Sequence, residues 1–98
     1  MIILSNKQKQ HLRRLGHGLK PVVMIGGDGL ANTAQNELEL ALRRHELLKI
    51  KVSATDRDER NVMIQKLCEA SAAQLVQRIG HIALVYRSNP DKPRIQLP

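Results

Sequence analysis

The chain has 98 residues, with 16 Lys and Arg against 9 Asp and Glu, a formal charge of +7. It is 42% hydrophobic, yet Tyr86 is its one aromatic residue, with neither Phe nor Trp. That balance fits one aliphatic-cored domain spanning 1–98, points a basic chain toward nucleic acid, and excludes a base-stacking platform of aromatic rings. A single cysteine, Cys68, excludes an internal disulfide and a cysteine-rich zinc knuckle. No run approaches the ~20 apolar residues of a membrane span, and Met1-Ile2-Ile3-Leu4 is too short for a secretory signal, so a cytoplasmic chain without membrane contact is expected.

In chain order, Ser5-Asn6-Lys7-Gln8 has the S-x-x-Q form of a capping box, predicting a helix from about Asn6 that ends at Gly16 and Gly18. Leu4, Gln8, His11 or Leu12, and Leu15 are its expected apolar stripe. Pro21 opens Val22-Val23-Met24-Ile25, a short apolar run that reads as a strand buried on both faces. Gly26-Gly27-Asp28-Gly29 turns the chain into a second helix over about 31–44, whose core face is Leu30, Ala34, Leu38, Ala41 and Leu42. Residues 48–54 alternate with period 2, which gives a strand with one apolar face and Lys49 and Lys51 on the other, the wet side of a possible edge strand. Asp56-Arg57-Asp58-Glu59 caps a third helix running to about Ala72, with Val62, Met63, Leu67 and Ala70 as its expected core face. Residues 75–79 and 82–86 flank Gly80-His81, a two-residue hairpin signal. The core is expected over about 5–87, and 88–98, with Pro90, Pro93 and Pro98, reads as an extended or frayed tail.

The resulting order, α-β-α-β-α-β-β, predicts an α/β fold with a mixed four-stranded sheet whose two continuously apolar strands lie at its centre. Charge is uneven along it: residues 1–27 carry +5 without a single acid, 28–69 carry −1, and 70–98 carry +3. Gly26-x-x-Gly29 stands between a strand and a helix start, where bare backbone N–H groups and the helix dipole suit a phosphate. By itself the motif reads first as a tight turn that needs glycine for its dihedrals, with a backbone clamp of the KH type as the alternative. A Walker A loop and a dinucleotide fingerprint both fail on the residues present. His11, His17, His45 and His81 have no metal-ligand spacing, Cys68 reads as a small buried side chain, and the Asp56–Glu59 acids read as capping. No cofactor, metal or catalytic centre is expected.

Four blocks then resemble a known family: Leu19-Lys20-Pro21-Val22-Val23, Ile25-Gly26-Gly27-Asp28-Gly29-Leu30, residues 45–52 (His-Glu-Leu-Leu-Lys-Ile-Lys-Val), and residues 79–87 ending Val85-Tyr86-Arg87. In order and spacing they are similar to the CRM domain (chloroplast RNA splicing and ribosome maturation), in particular its stand-alone bacterial YhbY-type members. The resemblance implies an RNA-binding, non-enzymatic protein with a fold similar to the C-terminal domain of bacterial translation initiation factor 3 and a KH-like GxxG loop. It further implies a ribosome-assembly factor that contacts large-subunit precursor ribosomal RNA. By position, Gly26 and Gly29 would be the clamp, with Gly27 and Asp28 at its variable positions, Lys20 just ahead of its strand, and Lys49 and Lys51 on the family's basic strand. Because an acid at Asp28 repels phosphate, affinity is expected to rest on the basic surfaces, above all Lys7, Lys9, Arg13 and Arg14 on the first helix. A monomer without a small-molecule substrate is expected. The rivals are a basic protein-interaction adaptor that never touches RNA, a small nucleotide-handling enzyme, and a duplex-DNA binder.

Overall fold

The computed structural model describes residues 4–25, 32–53 and 56–98. Within them the chain runs α1 (Asn6–Gly16), β1 (Pro21–Ile25), α2 (Asn32–His45), β2 (Leu47–Val52), α3 (Arg57–Ser71), β3 (Gln74–Ile79) and β4 (Ile82–Tyr86). The predicted order and the mixed four-stranded sheet are both observed. The capping box closes α1 as the sequence requires: Ser5 Oγ accepts the Gln8 N–H at 3.1 Å and Gln8 Oε1 accepts the Ser5 N–H at 3.0 Å. Asp56 caps α3 through the Asp58 N–H, and Gly80 adopts φ +56° in the hairpin between β3 and β4. The radius of gyration is 12.7 Å, close to the roughly 13 Å of a compact chain of this length.

The strands lie in the order β1-β2-β4-β3. β1 pairs in parallel with β2, while β2–β4 and β4–β3 are antiparallel. This corrects two expectations. β1 is an edge strand, and its outward residues Val22 and Met24 are 53% and 67% exposed, so it is buried on one face only. β2, with its alternating lysines, is an interior strand rather than an edge. The reason is unequal cover. α2 and α3 pack on one face, over a core of Val23, Ile25, Leu38, Leu42, Leu48, Ile50, Val52, Ile64, Leu67, Ala83 and Val85. α1 alone lies on the other face, where a smaller cluster gathers Leu4, Leu12, Leu47, Val76, Leu84 and Tyr86. One short helix cannot roof four strands, so the β1 side of that face stays open.

Three helix-face expectations also shift. Leu15 is 46% exposed, since α1 is anchored through Leu12 and Gly16, one turn apart on its inner side. On α3 the buried arc runs through Met63, Ile64, Leu67, Cys68 and Ser71, which leaves Val62 and Ala70 exposed. The tail is not frayed, and it turns at Asn89, whose Oδ1 accepts the Asp91 and Lys92 N–H groups. Glu46, buried at the junction of α2 and β2, accepts the Asn89 N–H on Oε2 at 2.7 Å and the Ile95 N–H on Oε1 at 2.9 Å, with the Arg94 N–H also on Oε1. Beyond that anchor Ile95 and Leu97 pack on the smaller cluster, and Gln8 donates to the Pro98 carbonyl at 3.3 Å.

Candidate nucleic-acid interface

The α1 side of the sheet collects seven of the 16 basic residues. Lys7, Arg13 and Arg14 project exposed from α1, Lys9 is half-buried beside them, and Lys20 is exposed just before β1. Lys49 and Lys51 rise from β2 on this face because residues 47, 49 and 51 share it, and Leu47 belongs to the cluster beneath α1. Arg13 donates to the Lys9 carbonyl at 3.4 Å, which lays its side chain back along the helix. Among the described residues none of these seven cations is ion-paired. Among the described residues no acid compensates their field locally.

The acids of α2 and α3 lie elsewhere. Glu39 on α2 takes a bidentate grip from Arg87, with Arg87 Nη1 to Glu39 Oε1 at 2.9 Å, and Arg43 approaches it at 3.7 Å. The Arg87 hydrogen bonds, opposed in part by desolvation and aided by the charges of Arg87 and Arg43, hold the Glu39 carboxyl below its ordinary value. Arg87 also donates to the Ser71 carbonyl at 3.0 Å, so this cation ties β4 to α2 and α3 and belongs to the scaffold. Asp58, Glu59 and Glu69 sit on α3. The molecule is thus two-sided, with a basic α1 face and the α-helical acids behind the sheet.

Two hollows shape the basic face. One, of about 240 Å³, lies under the last turn of α1 and is lined by Arg13, Gly16, His17, Lys49, Gln77, Ile79, Ile82 and Leu84. A shallower one of about 400 Å³ is bounded by Gln10, Arg13, Arg14, His17 and Gln77. The structure therefore brings Arg13 of α1 and Lys49 of β2, distant in sequence, to one rim. Gln77 and His17, which the sequence reading did not select, stand in both hollows. Gln77 carried no distinguishing signal, since β3 also holds the polar Gln74 and Arg78. Gly26, Gly27, Asp28 and Gly29 lie outside the described residues, between Ile25 at the end of β1 and Asn32 at the start of α2. Lys51 pairs with Met24, two residues before that loop begins.

Other chemistry-bearing groups have structural partners. Burial, then the Glu69 charge, pushes the Cys68 thiol up to about 11, so it stays a neutral, half-buried member of the core rim. His81 Nδ1 lies 2.8 Å from the Val52 carbonyl and fixes the hairpin against β2. Burial and the nearby Glu46 carboxylate raise the Tyr86 phenol. Among the described residues no group of three His, Cys, Asp or Glu could hold a metal, and no helix is long and apolar enough to cross a membrane.

Comparison with known proteins follows the same lines. A Haemophilus influenzae protein named as RNA-binding is 46% identical over 98 residues, covering 100% of this chain and 98% of its own. A Pseudomonas aeruginosa relative, also named for RNA binding, is 45% identical over 94 residues, spanning 96% of this chain and 89% of its own. The solution structure of a Staphylococcus aureus protein superposes with a TM-score of 0.85 at 32% identity, covering 98% of this chain and 100% of that one. The family model for the CRS1/YhbY (CRM) domain matches residues 4–87, a span that takes in all four sequence blocks and α1 before them. On the matched span and these identities, the chain belongs to the CRS1/YhbY (CRM) domain family.

Proposed function

We propose that this protein binds RNA through its α1 face and acts in ribosome assembly, on precursor RNA of the large subunit. The observation that carries the reading is that, among the described residues, seven cations on one side of the sheet have no ion pair, over a surface free of the acids of α2 and α3. Unpaired Lys and Arg on a common face are what phosphate neutralisation requires, and the names of the relatives agree with it. Lys7, Lys9, Arg13, Arg14, Lys20, Lys49 and Lys51 supply the charge. Gly26 and Gly29 supply backbone N–H groups for a clamp on the strand, with Gly27 and Asp28 setting position rather than affinity. With one aromatic residue in the chain, and that one buried, grip comes from charge, amides and shape rather than ring stacking. No reacting group enters this account.

The test is sedimentation of ribosomal particles from growing cells, with crosslinked RNA recovered from the same fractions. The protein is expected in fractions carrying large-subunit precursors, with precursor RNA enriched in its crosslinks. Protein confined to the top of the gradient, with crosslinks to other RNA, would refute the ribosomal part and spare RNA binding. Crosslinks without enriched RNA of any kind would favour the protein-interaction adaptor.

A further inference from the structure

We propose that the cavity under the last turn of α1 receives one unstacked nucleobase of a single-stranded RNA segment, with the adjoining phosphate held by Arg13 and Lys49 at its rim. The inference rests on the RNA-binding reading above and adds to it a base-recognising subsite.

The cavity follows from the strand register. On the α1 face Lys49, Leu84 and Gln77 form one row across β2, β4 and β3, and Lys51, Ile82 and Ile79 form the next. α1 ends on the first row: a Cβ placed on Gly16 would lie 2.8 Å from both Leu84 methyl carbons. The helix therefore sits as low as a glycine allows and stops there, because His17-Gly18 follows. The second row is left unroofed, with Ile79 66% exposed and Ile82 half-buried. What remains is a slot with an aliphatic floor, one carboxamide at Gln77 and cations at the rim. Each part has a use for a nucleotide: apolar area for the flat face of a base, an amide that both donates and accepts for its edge, and two fixed charges for its phosphate.

Size and charge select the occupant. At about 240 Å³ the slot is smaller than the ~300–1,000 Å³ typical of pockets for drug-sized ligands, so one base fits where a folded peptide segment does not. No acid lines it. An aliphatic floor replaces the aromatic platform that this chain lacks, which explains how a domain with Tyr86 buried can still distinguish a base from bare backbone.

The test uses the full chain with selectively labelled Ile and Leu methyls and defined probes: uridine, adenosine and cytidine RNA hexamers, an abasic ribose-phosphate hexamer, and hexaglutamate. Base-bearing hexamers are expected to shift the Ile79, Ile82 and Leu84 methyls and the Gln77 side-chain amide, and the abasic hexamer is not. In fluorescence anisotropy the base-bearing hexamers should bind about fivefold tighter than the abasic one, an aliphatic contact being worth that order. Ile79→Ala and Gln77→Ala, at an exposed and a half-buried position, should remove that preference while leaving the salt dependence of binding unchanged. Equal methyl shifts from the abasic hexamer, or from hexaglutamate, would overturn the subsite while a normal salt dependence left RNA binding intact. Failure of every RNA hexamer to bind at low salt would sink both readings together.

Discussion

Among the described residues two outside glycine take the left-handed region, Glu46 and Ala72, each at φ 56° just past a helix. For an L-residue that conformation costs about 1–2 kcal/mol, yet the two positions hold it for different reasons. Ala72 ends α3, and its own N–H and that of Ala73 close back onto the Glu69 and Cys68 carbonyls, a geometry glycine meets more cheaply. Its methyl is exposed, so Ala72→Gly should stabilise the fold by about 0.5–1 kcal/mol. Glu46 ends α2, but its carboxylate accepts three tail N–H groups, and its backbone carbonyl accepts the Arg87 N–H at 2.9 Å. Glu46→Gly relieves the same strain and leaves those partly buried hydrogen-bond donors without their acceptor, a net loss of about 1–3 kcal/mol. Urea denaturation of the two glycine variants should therefore move in opposite directions, and amide exchange at Asn89, Arg94 and Ile95 should quicken only in the second. Same-sign shifts would mean that the tail is not held by this carboxylate. Nothing in the sequence marks Glu46 for this task, since its partners lie more than forty residues away and are backbone groups, which any residue type supplies.

At the scale of elements, α1 is placed by one glycine against one leucine. Gly16→Ala adds helix propensity but drives a methyl into Leu84, which is buried and cannot swing aside freely. The expected result is a loss of about 1–3 kcal/mol, reduced when Leu84→Ala is combined with it in a double-mutant cycle. Gly18→Ala, where nothing lies within 4 Å, is the matched control and should be near neutral. Additive losses in the cycle would show that α1 is set by other contacts. This contact also divides what the sequence could reveal from what it could not. Element order and boundaries were legible because Ser5, Asp56 and Gly80-His81 act through local geometry, and because Leu38, Leu42 and Leu67 keep helical spacing. Strand order was not: Val22 and Met24 look like interior residues, and only the shortness of α1 leaves them bare. Likewise the cations of the proposed interface can each be picked out in the sequence, whereas the slot between Arg13 and Lys49 depends on register and on where Gly16 stops the helix.

For the molecule as a whole the decisive property is where its charge lies, not how much it carries. The domain is 37 × 24 × 24 Å, and at physiological ionic strength the field of an exposed charge decays over ~8 Å. Its opposite faces are therefore about three screening lengths apart, and a cation on α3 cannot stand in for one on α1. A pair of variants makes this measurable. Arg13→Glu with Arg14→Glu, and Arg57→Glu with Lys66→Glu, each replace two exposed cations by acids and change net charge equally. The first pair lies on the proposed interface, the second on α3 among Asp58, Glu59 and Glu69. Each phosphate contact to single-stranded RNA contributes about 0.7 to the slope of log affinity against log salt. The α1 variant should thus flatten that slope by about 1.4 and weaken binding most at low salt, while the α3 variant keeps the wild-type slope. Equal flattening in both would mean that RNA responds to overall charge alone, and the two-sided distribution would then have no part in binding. A wild-type affinity independent of salt would remove the phosphate-neutralising role from all seven cations at once.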